Sequence, residues 1–245
     1  VITTRRDEWL TRLPVSFKSF GDYKAPLAIY VTGFFVTLLG SELWVVRLPF
    51  AMAGILSVVG MVFLVQAVLV RSGQVKNQNL TEQLVGAWSL LGGVLLLTSP
   101  WFLHFARTGF ESGMALMWVI WGMWAAVQLS LGEKGLMGMW GRATRGAQLA
   151  LTIILSVTLV ASLYTYHSAK VVVPLVVLAM VVLYFRQWRR QWLFSISSVV
   201  LMSALSYPLI KDTLWGAGGT RMTQASFLGS EMGLLEKVSL LFSHL

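Results

Sequence analysis

The sequence contains no cysteine. A disulfide framework, a thiolate metal site and a cysteine nucleophile are therefore excluded. Charge is also scarce: Asp, Glu, Lys and Arg make up 12% of the 245 residues, against about 25% in ordinary soluble domains. With 56% hydrophobic residues and a mean hydropathy of +0.72, the chain is too poor in polar groups to cover a water-soluble globule. It is also too apolar to stay disordered. Neither a phosphate-binding GxxxxGK[ST] loop, an HExxH zinc motif nor a glycine-rich nucleotide fingerprint occurs. No long apolar run carries Asp, Glu, Lys or Arg at its centre, which argues against an ion-coupled transporter or a proton pump. ATP, haem and zinc thus find no support.

What is present is a series of apolar runs. A membrane-spanning helix needs about 20 mostly apolar residues, and six runs meet or approach that length: 48–70, 83–103, 112–131, 147–166, 168–185 and 191–210. The expected fold class is all-α, a polytopic bundle of about six spans. A further run, 25–41, has only 17 uncharged residues. It is expected to be an outer-face interfacial or re-entrant segment starting at Pro26. The predicted organisation is a single membrane domain, with an outer loop over 1–46, the transmembrane bundle over 47–210 and an extracytoplasmic segment over 211–245. The chain opens on Val1 and closes on Leu245 within an amphipathic stretch, so it is expected to be part of a longer protein.

Basic residues set the orientation. Lys plus Arg total 19 against 10 acids; in an apolar chain this excess concerns membrane sidedness, and nucleic acid is not an expected partner. Arg71 and Lys76, then Lys134, Arg142 and Arg145, then Arg186, Arg189 and Arg190 fall in alternate short loops, whereas the intervening loops carry only Arg107 and Lys170. The positive-inside rule places the first set in the cytoplasm. Trp44, Trp101, Trp188 and Trp192 lie near span ends, as an interfacial aromatic belt would. Trp118, Trp121 and Trp124 are expected to pack against lipid or a neighbouring helix. Gly92, Gly93, Ser195 and Ser198 suit close helix packing.

The expected outer face gathers charges of both signs: Arg5, Arg6, Asp7 and Glu8; Asp22, Tyr23 and Lys24; and His104, Arg107 and Glu111. The last three stand at i, i+3 and i+7, so one continuous helix would place them on one face. They read either as an interfacial ion pair or as an arginine aimed at an anion and held by Glu111. Lys24 is equally a snorkelling anchor. Tyr164, Tyr166, His167 and Lys170 form another outer group, which an interface belt also explains. Together, basic groups from separate loops suit an anion site. A non-catalytic polytopic protein, a transporter or assembly subunit, explains the spans equally well.

The strings FGDYKAPLAIYVTGFF, LWVVRLPFAMAGILSVVGMVFLV, TSPWFLHFARTGFES and YTYHSAKVVVPL resemble the bacterial family 39 glycosyltransferases, relatives of protein O-mannosyltransferases and of the aminoarabinose transferase acting on lipid A. The resemblance runs from about Thr4 to Tyr207. It implies a GT-C fold in the bacterial cytoplasmic (inner) membrane, with the active site facing outside. It further implies an inverting transfer of a monosaccharide from a polyprenyl-phosphate donor to a hydroxyl acceptor on protein, lipid or glycan. No cofactor is implied, and a divalent cation is left open. Lys24, in Lys-Ala-Pro where relatives carry Lys-Pro-Pro or Lys-Pro, is implied as a phosphate contact. Arg107 matches the basic residue of the family's HFSR string, with Ala106 replacing Ser, and Lys170 stands where relatives often carry Arg. These three form the implied donor site, supported by Tyr23, His104, Glu111, Tyr166 and His167. Arg47 matches the family's RLP string, where a structural role carries equal weight. The family's base is an Asp of an Asp-Glu pair after the first span, expected upstream of Val1. Asp7 and Glu8 resemble a second string of the same loop and are the substitute candidates within this chain.

Overall fold

The computed structural model describes residues 14–19, 22–72, 78–131 and 145–215. A short antiparallel hairpin, β1 (Phe17–Ser19) and β2 (Asp22–Lys24), pairs Phe17 with Lys24. The remaining elements are helices: α1 (Pro26–Leu39), α2 (Leu43–Arg71), α3 (Gln78–Thr98), α4 (Pro100–Thr108), α5 (Glu111–Leu131), α6 (Arg145–Thr165), α7 (Ala169–Arg190) and α8 (Trp192–Trp215). Five of them are long and apolar enough to cross a membrane, and a sixth crossing forms if the bent pair α3–α4 is counted as one. The chain is thus built as a multi-pass membrane protein, and helices satisfy within themselves the backbone groups that hydrocarbon cannot.

Helix α1 has 14 residues. At 1.5 Å per residue it is about 21 Å long, short of the ~30 Å hydrocarbon core. Pro26 opens it at the position where a missing N–H costs nothing. Ala28 of α1 packs with Phe50 and Ala53 of α2 and Met114 and Met117 of α5. The expectation of an interfacial segment over 25–41 fits this length and packing.

The apolar run 83–103 departs from expectation. Instead of continuing over 83–103, the helix breaks at Ser99–Pro100, and α3 and α4 meet at 62°. Ser99 adopts extended backbone (φ −65°, ψ 119°), as the residue before proline is pushed to do. Pro100 has no N–H to offer the preceding turn.

Helix α5 is the centre of the bundle. Within its apolar window 67% of residues are buried, against 17% in α7 and in α8, so those two helices turn most of their surface outward. Gly122 of α5 lies where a Cβ would stand 2.6 Å from Leu159 Cδ2 of α6. Gly92 and Gly93 of α3 similarly receive Val65 and Val62 of α2, in line with the expected role of small residues. Several polar side chains in the spans are tied to backbone: Ser57 to Ala53 O at 2.8 Å and Ser89 to Val85 O at 2.7 Å within their own helices. Others bridge helices. Trp121 Nε1 donates to Leu56 O (3.2 Å), Ser162 Oγ to Ala115 O (3.2 Å), Tyr164 Oη to Leu205 O (3.0 Å) and Ser156 Oγ to Ser198 O (3.3 Å). Trp121 also lies 6.2 Å from the Phe63 ring of α2, and Trp118 packs against the cluster of Phe50 and Ala53 of α2, so these two tryptophans pack against a neighbouring helix as expected.

Candidate functional site

The bundle has two chemically different ends. One holds the C-termini of α2 and α7, where Arg71 lies 5.7 Å over the Tyr184 ring. The other holds the hairpin, α1 and α4, with the N-termini of α2, α5 and α7. Among the described residues, the charged candidates Lys24, His104, Arg107, Glu111 and Lys170 of the expected outer face lie at this second end.

Arg107 lies in the last turn of α4, where a cation complements the negative end of the helix dipole. Gly109 then takes the left-handed conformation (φ 76°, ψ 32°) that ends the helix. Glu111 starts α5, where a carboxylate complements the positive end. This corrects the single-helix reading of His104, Arg107 and Glu111: the first two share α4, and Glu111 belongs to the next helix. Although four residues apart in sequence, Arg107 and Glu111 are separated by the left-handed Gly109 and line different hollows.

Arg47, His104, Arg107, Pro100, Leu103 and Thr108 line a hollow of about 460 Å³. His104 packs edge-on against Phe105 at 5.5 Å, and Thr108 Oγ1 donates to His104 O at 2.8 Å. Among the described residues no carboxylate lines it. Two guanidiniums face the same space, and their mutual repulsion falls when an anion enters. A second hollow of about 740 Å³ lies between α1 and α2 and is lined by Val46, Phe50, Gly109 and Glu111 among others. Val46 and Arg47 are consecutive, as are Thr108 and Gly109, so the two hollows adjoin along these short stretches of chain.

The three basic residues expected to share one site are distributed differently. Arg107 lines the first hollow, but Lys24 and Lys170 line neither. Lys24 is exposed at the end of the hairpin. Lys170 is half-buried, and its Nζ donates to Thr213 Oγ1 at 3.0 Å beside the charge of Asp212. Asp212 accepts a hydrogen bond from Ser16 Oγ, which seats the hairpin segment on the corner made by α7 and α8. Lys170 is thus tethered at that corner, away from the hollow that Arg107 lines. Tyr166 and His167 form the half-buried turn between α6 and α7, where Lys170 N donates to His167 O at 3.0 Å. Tyr23 lies on β2. Asp7 and Glu8 lie outside the described residues. Arg47 is the residue whose place sequence reasoning underrated; its neighbour Pro49 gave a structural excuse, and only the bend at Pro100 brings α4 over it.

Among the described residues no group of three or more His, Asp or Glu side chains is arranged to hold a metal ion. No known protein family, characterised sequence or solved structure matches this chain.

Proposed function

We propose that the chain is a membrane glycosyltransferase that moves a monosaccharide from a polyprenyl-phosphate donor to a hydroxyl acceptor at the extracytoplasmic face of a bacterial inner membrane. The observation that carries this reading is the hollow where Arg47, His104 and Arg107 converge, with no carboxylate lining it among the described residues. It lies at the end away from the arginine-rich loops, so by the positive-inside rule it faces outward. A donor lipid keeps its chain in the bilayer and raises its phosphate to this rim.

In this reading the phosphate rests on Arg47, His104 and Arg107 rather than on Lys24 and Lys170. Glu111, in the adjoining hollow, takes the proton from the acceptor hydroxyl. The acceptor oxygen bonds to the anomeric carbon as the bond from that carbon to the phosphate oxygen breaks, and the lipid phosphate leaves with the electron pair. Guanidiniums already in place stabilise the negative charge that grows on the leaving oxygen.

The test is transfer of radiolabelled sugar from polyprenyl-phosphate-sugar by membranes containing the full-length protein. Loss of one preplaced donor costs about 100-fold in turnover, so Arg107→Gln and Arg47→Gln should each lower the rate by that order with protein level unchanged. Glu111→Gln should do the same. Wild-type turnover in both arginine variants would reject the phosphate assignment.

A further inference from the structure

The opposite end of the bundle carries a third hollow that the proposed transfer reaction does not use. Helices α7 and α8 are joined by a tight turn at Gln191, whose N–H donates to Gln187 O and Trp188 O. Ser195 Oγ fastens the same turn by donating to Trp188 O at 3.1 Å. Just before it, Tyr184 leaves helical geometry (φ −114°, ψ 15°), so α7 kinks and the two helices separate above the turn. Between them, with α5 and α6 behind, lies a cavity of about 420 Å³. Its back wall is the buried core: Ala126, Leu129, Leu155 and Leu159. Its outer lips are exposed: Phe185 is 57% and Val199 58% exposed. The cavity therefore opens sideways, toward the acyl chains in a chain that spans a membrane.

An apolar void of this size left empty forfeits the dispersion contacts of its whole lining. What fills it must be apolar along its length. The mouth of the cavity at the turn is different: Arg189 lines it, and Arg186 and Arg190 flank it in the sequence, all three exposed. The indole N–H of Trp188, another lining residue, is buried and has no hydrogen-bond partner. An apolar slot ending in exposed arginines matches one chemistry, a hydrocarbon chain with an anionic head.

We infer that the α7–α8 cavity is a binding site for an anionic phospholipid, with one acyl chain between the helices and the phosphate at Arg189. The site stands independently of the proposed transferase activity, because it uses the other end of the bundle and none of the residues assigned to the reaction.

Native mass spectrometry of the intact protein reads this directly. The protein is offered phosphatidylglycerol, phosphatidylcholine and a polyprenyl phosphate in equal amounts. The wild type should retain phosphatidylglycerol in preference to the other two. Arg189→Gln should lower the preference over phosphatidylcholine about fivefold, the equivalent of ~1 kcal/mol for one basic side chain at an anionic headgroup. Val199→Trp, which places a larger side chain at the exposed lip, should reduce retention of both phospholipids severalfold while the fold persists. Equal retention of the two phospholipids by the wild type, or unchanged retention in Val199→Trp, would overturn the assignment. So would displacement of phosphatidylglycerol by the polyprenyl phosphate.

Discussion

Replacing Gly122 by Ala tests the packing that centres the bundle on α5. A Cβ at this position would lie 2.6 Å from Leu159 Cδ2, 2.8 Å from Leu159 Cγ and 3.0 Å from Thr158 Oγ1. The branch carbon of Leu159 is not a flexible tip, and Leu159 is itself buried among Leu155, Ala126 and Leu129. The clash can be relieved only by moving α6 or forcing its side chains off their rotamers, at about 1–3 kcal/mol. Against this, glycine to alanine within a helix gains about 1 kcal/mol of propensity. Gly86 of α3 supplies the matched control, because nothing lies within 4 Å of its Cβ position. Gly86→Ala should therefore keep the propensity gain, and the two variants should differ by about 1–3 kcal/mol, with Gly122→Ala the less stable. Unfolding of the purified protein in mixed micelles with increasing dodecyl sulfate, followed by tryptophan fluorescence, measures the difference. Leu159→Ala should partly restore Gly122→Ala, because it removes the obstructing carbons, and the double variant should then be more stable than the sum of the singles. If Gly122→Ala were as stable as Gly86→Ala, the close α5–α6 approach would be refuted.

Two further outcomes are expected. The absence of native cysteine makes any introduced thiol a unique reporter: Thr108→Cys should react with a membrane-impermeant maleimide added to whole cells, and Arg190→Cys only after the membrane is opened, whereas the reverse pattern would invert the assigned orientation. Gly109→Ala should cost about 1–2 kcal/mol, because a Cβ is strained at φ +76°, and Gly109→Asn should cost less; equal unfolding midpoints for all three proteins would show that the α4–α5 turn does not need this conformation.

Much of the architecture was legible in the sequence because hydrocarbon imposes so few solutions. Runs of about 20 apolar residues must be helices there, and the five long spans lie where composition put them. The short length of 25–41 likewise anticipated a helix too short to count among the long spans. Gly92 and Gly93 announced close packing, and the structure shows which residues of α2 fill the space. The candidate site was less legible. Periodicity joined Glu111 to His104 and Arg107 because a helical repeat cannot register a left-handed glycine between them. The family resemblance implied Lys24, Arg107 and Lys170 as one site, yet the structure places Lys170 beside Thr213 and Asp212 and away from the hollow that Arg107 lines.

Composition and the spacing of apolar runs determined that the chain is a bundle of membrane-crossing helices, since each run must satisfy its own backbone whatever its neighbours do. Tertiary structure alone decided which charges meet. Arg47 and Arg107 are far apart in sequence and belong to different helices, and they face one hollow only because Pro100 turns α4 away from α3. The cavity between α7 and α8 was equally out of reach of sequence, because it comes from the kink at Tyr184 and from how α6 holds α8, and a void has no residues of its own to read.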